Sequence, residues 1–497
     1  MSIVFLKLTP YNKEANLGYW RPTMKNYVDD PHVQKNRWWI MTAVGMFTIM
    51  STLDASIVNI ALPVIAKDMR LPMNLAEWTV SIYLIVICAL LLLMGKLGDI
   101  YGKIRIFRMG EVLFTIGSLF AGFNHSFVML LAARVVQALG ASMTMANSNG
   151  IVTEVFPFKE RGRALGMIGS FVAVGSIAGP GLGGLILGVL PWGYIFWINV
   201  PLGILAIIVG QVVFPKDIDH SEANIDWPGF VAFALFIVPL FAGIFIGQEI
   251  GFTRPVILAM FAVAIIAFGA FIWIEQHTAD PMLALSLFAN KEFTISLFAG
   301  FLIFVTNFFF NVISPFYLEN ARGLSATTAG YMLMLFPIVQ VIVAPLSGSL
   351  SDKIGPYVIT LVGLLVILVV QIGYVTLSLT TPWLLVCVII AVMGFGNGAF
   401  QSPNNTLVMS AVAPKDLGIA GGLNALARNM GMVVGISAST TVLYAAMSRE
   451  AGRKVTTFVA GQPQLFINGM HVAFSVAVVM CTITVLLTAY RMITMRK

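Results

Sequence analysis

The chain has 497 residues, of which 58% are hydrophobic and only 10% are charged. Soluble domains carry about 25% charged residues and roughly 45 to 50% apolar ones, so this composition cannot cover a water-facing surface. We therefore expect an integral membrane protein. The net charge of +7 then indicates orientation in the membrane rather than a nucleic-acid partner.

Fourteen apolar runs are long enough to cross a bilayer as helices, which takes roughly 20 residues. They do not alternate with a period of two, so a membrane β-barrel is excluded and an all-α bundle is predicted. The predicted spans, in chain order, cover residues 38–62, 78–98, 106–123, 127–151, 164–189, 194–214, 228–248, 255–274, 293–317, 327–350, 357–379, 382–404, 418–446 and 468–490. Residues 1–37 are expected to form a polar tail, and residues 491–497 the C-terminus.

The basic residues predict the orientation of these spans, because Lys and Arg near span ends concentrate on the cytosolic side. With the N-terminus inside, twenty of them lie in cytosolic segments and seven in outside segments, while Arg134 and Arg428 lie within spans. We therefore expect a multi-pass protein of the cell (plasma) membrane with both termini in the cytosol.

The chain matches itself at two elements in the same order. The loop GKLGDIYGK at residues 95–103 recurs as GSLSDKIGP at residues 348–356, an offset of 253. A glycine pattern recurs at an offset of 256, in the pairs Gly162 and Gly418, Gly166 and Gly422, Gly175 and Gly431, Gly179 and Gly435. This repetition predicts two six-helix halves, residues 38–214 and 293–490, with two inserted helices in residues 227–275.

These segments resemble a known family. The loop pattern G-x-L-x-D-x-x-G resembles the signature of the major facilitator superfamily. Six further segments resemble its fourteen-span drug:proton antiporter group, namely LDASIVNIALP (53–63), RVVQALGAS (134–142), GSIAGPGLGG (175–184), WGYIFWINVPLG (192–203), DWPG (226–229) and DPMLALSLF (280–288). The resemblance implies the major facilitator fold with fourteen transmembrane helices. It also implies a multidrug efflux transporter that the proton gradient drives without a cofactor.

The repeated loop is the first candidate site. The resemblance implies a cytosolic gate, in which Asp99 and its basic neighbours hold the two halves together in one state and release them in the other. The residues assigned to this gate are Gly95, Asp99, Gly102, Lys103, Arg105 and Asp352. Glycines are needed there because the loop turns within a few residues and its helices pack closely. The alternative is an ordinary basic loop with one capping aspartate.

Asp54 and Arg134 form the second candidate site. Asp54 lies roughly 24 Å along the first span at about 1.5 Å per residue, which places it in the outer half of the membrane. The fourth span enters the membrane from the outside, and Arg134 lies at a comparable depth in it. Ionisable residues at such depth are costly and mark function by default. We expect this pair to serve proton coupling, since a proton or a cationic drug could break it. The alternative is a permanent ion pair that clamps the two spans.

A glycine-rich segment of the fifth span is the third candidate. Its residues Gly175, Gly179, Pro180, Gly183 and Gly184 place small side chains on one face, with a kink at the proline. The family resemblance associates this segment with exporters and with the interface between the halves. Plain helix packing is the alternative interpretation.

Polar residues within spans are the candidates for the substrate cavity, because hydrocarbon disfavours them unless they face other helices or water. The set, together with one aromatic residue, is Arg428, Gln340, Asn397, Gln401, Asn404, Asn405 and Phe308. Aromatic side chains suit lipophilic cations, although in lipid they also serve as plain filler.

The other function classes lack their signatures. There is no phosphate-binding loop of an ATP-driven pump, and the five histidines are scattered rather than grouped as in an enzyme or metal site. We expect a proton-coupled exporter of lipophilic or cationic drugs or other toxic molecules. The alternatives are a dedicated exporter of one endogenous metabolite, lipid or peptide, and a non-transporting membrane sensor. Expected partners are the substrate, protons and the lipid bilayer, with no nucleic acid or adaptor protein, and a monomer as the functional unit.

Overall fold

A computed structural model describes residues 27–71, 73–123, 126–218, 224–455, 458–459 and 461–495. Within these ranges the chain forms α-helices. They are α1 (Pro31–Asp68), α2 (Met73–Tyr101), α3 (Lys103–Ala121), α4 (Phe127–Val155), α5 (Arg161–Val189), α6 (Tyr194–Trp197), α7 (Asn199–Val213), α8 (Trp227–Ile250), α9 (Pro255–His277), α10 (Lys291–Phe316), α11 (Ala326–Leu333), α12 (Leu335–Ile354), α13 (Pro356–Thr376), α14 (Trp383–Ser410), α15 (Leu417–Ala451) and α16 (Pro463–Met495).

In the described part of the chain, 13 helical segments are long and apolar enough to cross a membrane. The helix that falls outside this set is α3, whose first two turns carry Lys103, Arg105 and Arg108. It nevertheless packs along α4 and α7. It begins directly after α2 ends and runs back along the bundle. It corresponds to the predicted span at residues 106–123.

The helices extend beyond the apolar runs at the two ends of the chain. The first helix begins at Pro31, so part of the expected polar tail is helical, and Asp30 caps it by accepting a hydrogen bond from the backbone N–H of His32 at 2.9 Å. The last helix continues to Met495. Hydropathy locates the apolar part of a helix, whereas capping residues and a first-turn proline fix where the helix begins. Residues 1–26 lie outside the described part.

Two predicted spans are interrupted. The span at 194–214 divides at Ile198 into α6 and α7, and the span at 327–350 divides at Met334 into α11 and α12. A proline, Pro201 or Pro337, occupies the third position of the following helix in both cases. Proline has no N–H to donate to the preceding turn, so the hydrogen-bond ladder breaks there.

The helices pack as two groups, and one further pair of helices lies between these groups in the sequence. Helices α1 to α7 form one group and helices α10 to α16 the other, which we call the N half and the C half. Helix α5 lies at their junction and contacts both groups extensively. The halves meet chiefly where α5 packs on α12 and where α2 and α4 pack on α15. The inserted helices α8 and α9 pack on each other, and α8 also touches α2 and α15 beside that junction.

Candidate functional site

Asp99 joins the two halves through a helix cap. It lies in the last turn of α2, and its two carboxylate oxygens accept hydrogen bonds from the backbone N–H groups of Gly418 at 2.8 Å and Ile419 at 2.9 Å. Both donors belong to the first turn of α15, where N–H groups have no partner within the helix and the helix dipole favours a negative charge. A carboxylate of the N half therefore caps a helix of the C half.

Asp352 makes the reciprocal contact. It lies near the end of α12 in the C half, and its oxygens accept from the backbone N–H groups of Gly162 at 2.9 Å and Arg163 at 3.0 Å, in the first turn of α5. The two repeated elements of the sequence are thus the two partners of one contact, and each half supplies both a carboxylate and a capped helix. We call the end of the bundle that holds both caps the gate end.

The glycines of the repeat permit this approach. A Cβ atom added at Gly95 would lie 2.5 Å from the carbonyl oxygen of Gly418, and one at Gly162 would lie 2.7 Å from that of Gly348. The crossing helices therefore touch backbone to backbone, which only small residues allow. Ser402 adds a hydrogen bond to the Gly162 carbonyl at 3.0 Å.

The basic neighbours of Asp99 divide into two roles. The ammonium group of Lys103 is buried and lies 2.8 Å from Asp99 and 2.8 Å from Glu154. Arg105 does not pair with Asp99, which corrects its expected role. Its backbone N–H instead donates to Asp217 at 2.9 Å. Gly102, with φ of +102°, makes the turn before α3 in a conformation that favours glycine.

Three glycines of the α5 motif, Gly175, Gly179 and Gly183, face α1 of the N half, whereas other positions of α5 pack on α12 of the C half. Added Cβ atoms at Gly175 and Gly183 would meet Ile49 at 2.6 Å and Ile57 at 2.9 Å, both on α1. Gly179 also faces α1, and Gly184 has no neighbour at its Cβ position within 4 Å. The side chain of Pro180 lies outside the described part. The spacing identified a packing face but could not say which helix covers it.

Asp54 and Arg134 form the buried pair that the sequence suggested. The guanidinium Nη1 of Arg134 lies 2.6 Å from Asp54 Oδ2, and both side chains are fully buried. Arg134 also donates through Nε to the Thr79 carbonyl at 2.9 Å, and its guanidinium stacks 4.1 Å above the Tyr83 ring. The pair thus joins α1 and α4 and rests on α2.

Two amides complete this network, and sequence reasoning missed them. Gln137 and Asn199 donate to Asp54 Oδ1 at 2.8 and 2.9 Å, and Gln137 also donates to the Ser118 hydroxyl at 2.9 Å. The Asp54 carboxylate therefore joins α1, α4 and α7, and its partners Arg134 and Gln137 extend the network to α2 and α3. The signal was present in the sequence, since Gln137 lies one turn after Arg134 and Asn199 lies within the WGYIFWINVPLG segment.

A second polar region lies in the C half, beside the junction with the N half. A small pocket between α10, α14 and α15 is lined by Gly300, Phe304, Phe400, Gln401, Asn404, Asn405, Asn424, Ala427 and Arg428. It brings together four residues of the predicted cavity, and Gln340 joins them by donating to Gln401 at 3.0 Å. Asn397 instead bonds to Asn307, and Phe308 packs against Gly435, so neither lines the pocket.

Tyr83 connects the two polar regions. Its ring covers Arg134, and its hydroxyl group interacts electrostatically with Asp54 and Arg134 in the N half and with Arg428 in the C half. The hydroxyl oxygen is buried, and no described residue bonds to it. Tyr83 therefore lies close to charged residues of both polar regions.

The sequence and the fold are both similar to those of known transporters. The sequence model of the Major Facilitator Superfamily matches residues 44–436. The riboflavin transporter RibZ of Clostridioides difficile is 35% identical over 81% of this chain and 87% of its own, and the multidrug resistance protein Stp of Mycobacterium tuberculosis is 30% identical over 82% and 76%. The structure is similar to that of the proton:xylose symporter XylE, with a TM-score of 0.64 and 13% identity over 91% of this chain and 95% of that one. The chain belongs to the major facilitator superfamily and is a membrane transporter.

Proposed function

We propose that the protein is a secondary active exporter that couples the outward movement of lipophilic or cationic drugs, or other toxic small molecules, to the inward movement of protons. The observation that carries the proposal is the fully buried Asp54–Arg134 pair, held by Gln137 and Asn199. We place the protein in the cell membrane as a monomer, with both termini and the gate end in the cytosol. No cofactor takes part.

The buried pair has the properties of a proton-operated switch. An ion pair out of water is stable only while both charges are present, because removal of one leaves the other buried without a partner. Protonation of Asp54 would remove the negative charge and loosen Arg134, whose remaining bonds are to Thr79 and Gln137. The helices that meet at Asp54 would then shift, and Tyr83 would transmit the change to the pocket.

The caps at the gate end provide the second element of alternating access. Both aspartates bind the first turn of a helix in the opposite half, so a rotation of the halves that opens this end must break four hydrogen bonds to backbone N–H groups. Such bonds to a charged group contribute about 1.5 to 3 kcal/mol each. The closed gate end supports a conformation in which the substrate site is reached from the other side.

A dedicated transporter of one compound is the second candidate, and the chemistry of the pocket favours it. The described lining offers amides, two phenylalanines and Arg428 but no acidic side chain. Amides and an arginine suit a neutral or anionic molecule with several hydrogen-bonding groups, whereas a cation would gain from a carboxylate. The similarity to a riboflavin transporter points in the same direction.

Substrate-driven proton movement in liposomes tests the proposal. Purified protein is reconstituted with a pH-sensitive dye inside, and a lipophilic cation, a neutral drug and riboflavin are supplied in turn. We expect at least one of them to release protons in the original protein and none to do so in Asp54→Asn. Binding of that compound to the variant should persist. Proton release by Asp54→Asn at the original rate would refute the coupling role.

A second carboxylate of the same helix provides the matched control. Asp68 lies at the end of α1, far along that helix from Asp54, and accepts a hydrogen bond from the Trp192 ring nitrogen at 2.8 Å. Asp68→Asn should leave proton release unchanged. A response to the cation alone would favour drug export, whereas a response to riboflavin alone would favour the dedicated transporter.

A further inference from the structure

A groove opens on the lipid-facing side of the N half at the gate end. It lies between the first turns of α3 and the segment that follows α7, and its volume is about 610 Å³. The residues that line it are Ile104, Arg105, Arg108, Met109, Val112, Leu113, Gln211, Pro215, Lys216 and Asp217. Neither the buried pair nor the pocket of the C half shares a residue with it.

The charges of the groove are unbalanced. Arg105, Arg108 and Lys216 contribute three positive charges, and their side chains have no ion-pair partner in the described part of the chain. The single acid, Asp217, is already engaged, because its two oxygens accept the backbone N–H groups of Ile104 and Arg105 at 2.9 Å each. The groove therefore offers a net positive site to an anion.

Apart from Gln211, the remaining wall of the groove is apolar, and it continues along α3 toward the middle of the membrane. Met109, Val112 and Ile116 follow one another along α3 at helical spacing and are 49%, 40% and 39% exposed, so they face lipid chains rather than protein. Val112 lines the groove directly. A ligand that fits has an anionic head beside the basic residues and a hydrocarbon tail along α3.

We propose that the groove binds one anionic phospholipid of the membrane, with its phosphate between Arg105, Arg108 and Lys216 and an acyl chain along α3. Basic residues at the boundary of a membrane attract anionic lipids, and an arginine fork matches the phosphate group. The position of the groove, at the end of membrane-spanning helices, places it at the depth of lipid head groups.

The bound lipid would act on the gate. Arg105 lies two residues after Lys103, which pairs with Asp99, and the backbone of Arg105 is bonded to Asp217. A phosphate between α3 and Lys216 would therefore fix the start of α3 against the segment after α7, and with it the position of Lys103. The second half lacks this arrangement, because its loop continues with Pro356 in place of a basic run.

Lipid binding to the whole purified protein tests the proposal. Phosphatidylglycerol is titrated onto the detergent-solubilised protein and the bound lipid is counted by native mass spectrometry. Replacement of Arg105, Arg108 and Lys216 by glutamine together should weaken the tightest phosphatidylglycerol site about tenfold or more. An unchanged affinity overturns the proposal. The substitutions are at the surface of the groove, and an equal thermal midpoint without added lipid verifies folding.

Three comparisons make the result specific. A control variant replaces Lys159, Lys353 and Lys415, which are exposed at the same end outside the groove, and it should keep the affinity. Phosphatidylcholine should bind the original protein much more weakly. Soluble glycerol phosphate should fail to compete. Equal loss in the control variant, equal binding of phosphatidylcholine, or full competition by glycerol phosphate would each contradict a built site for an anionic lipid.

Discussion

The two halves share one architecture but carry different chemistry at their centres. The N half holds a full ion pair, Asp54 with Arg134, in a network that joins five helices. The C half holds amides around a small pocket, with Arg428 as the charged residue of its lining. The same helical framework thus presents a titratable centre on one side and a hydrogen-bonding surface on the other.

This difference suggests a division of labour between the halves. A paired charge responds to a proton, whereas amides can bind many polar groups without changing their own charge. We infer that the N half registers the proton and the C half contacts the substrate, with Tyr83 between them. At the gate end, by contrast, the halves are nearly symmetric, since each supplies one aspartate and one capped helix.

The largest expected effect concerns the stability of the N half. Asp54→Asn leaves Arg134 buried without its counter-charge and should destabilise the protein by about 3 kcal/mol. Asp54→Asn combined with Arg134→Gln should recover part of this loss, because no buried charge is left unpaired. The thermal midpoint in detergent measures both. Equal midpoints for the original protein and Asp54→Asn would mean that the pair does not hold the half together.

An intermediate effect should distinguish the two caps. Asp99→Asn loses a carboxylate that accepts two N–H groups and Lys103, whereas Asp352→Asn loses one that accepts two N–H groups alone. We expect the gate end to open more often in Asp99→Asn than in Asp352→Asn. A single reporter cysteine, Ser402→Cys in a background without the native cysteines, should react with maleimide several times faster in the first variant. Equal rates in both variants would contradict the asymmetry.

The smallest effect should come from the pocket. Gln401→Ala removes one hydrogen-bonding group and the contact with Gln340, so it should raise the KM for a transported substrate several-fold and change kcat little. Asn311→Ala provides the control, because Asn311 lies on α10 away from the pocket. Transport assays over a range of substrate concentrations separate the two constants. A fall in kcat at constant KM would remove Gln401 from the substrate site.

Much of the fold could be predicted from the sequence. Helices that cross a membrane require long apolar runs, and two halves of the same architecture leave repeated loops in the chain. The sequence also predicted that Asp54 and Arg134 lie at matched depth. It could not predict the partners of Asp99, since these are backbone groups about 320 positions away that no residue type identifies.

The glycine pattern shows the same limit in another form. The sequence paired Gly162 with Gly418 and Gly175 with Gly431 as repeats. The structure shows that the first pair faces the opposite half, whereas the second faces a helix of its own half, α1 or α10. Residue spacing along a helix defines a face, but it does not say which helix covers that face. Near the gate end the face meets the opposite half, and further along the helix it meets a helix of its own half.

The helix that each aspartate caps has a consequence for evolution. Its donors are backbone N–H groups, which every residue except proline carries. Side chains in the first turns of α5 and α15 can therefore drift without loss of the hydrogen bonds, provided that the glycines keep the backbones close. Selection on the gate then acts on two carboxylates and a few glycines, and the surrounding surface is free to diversify.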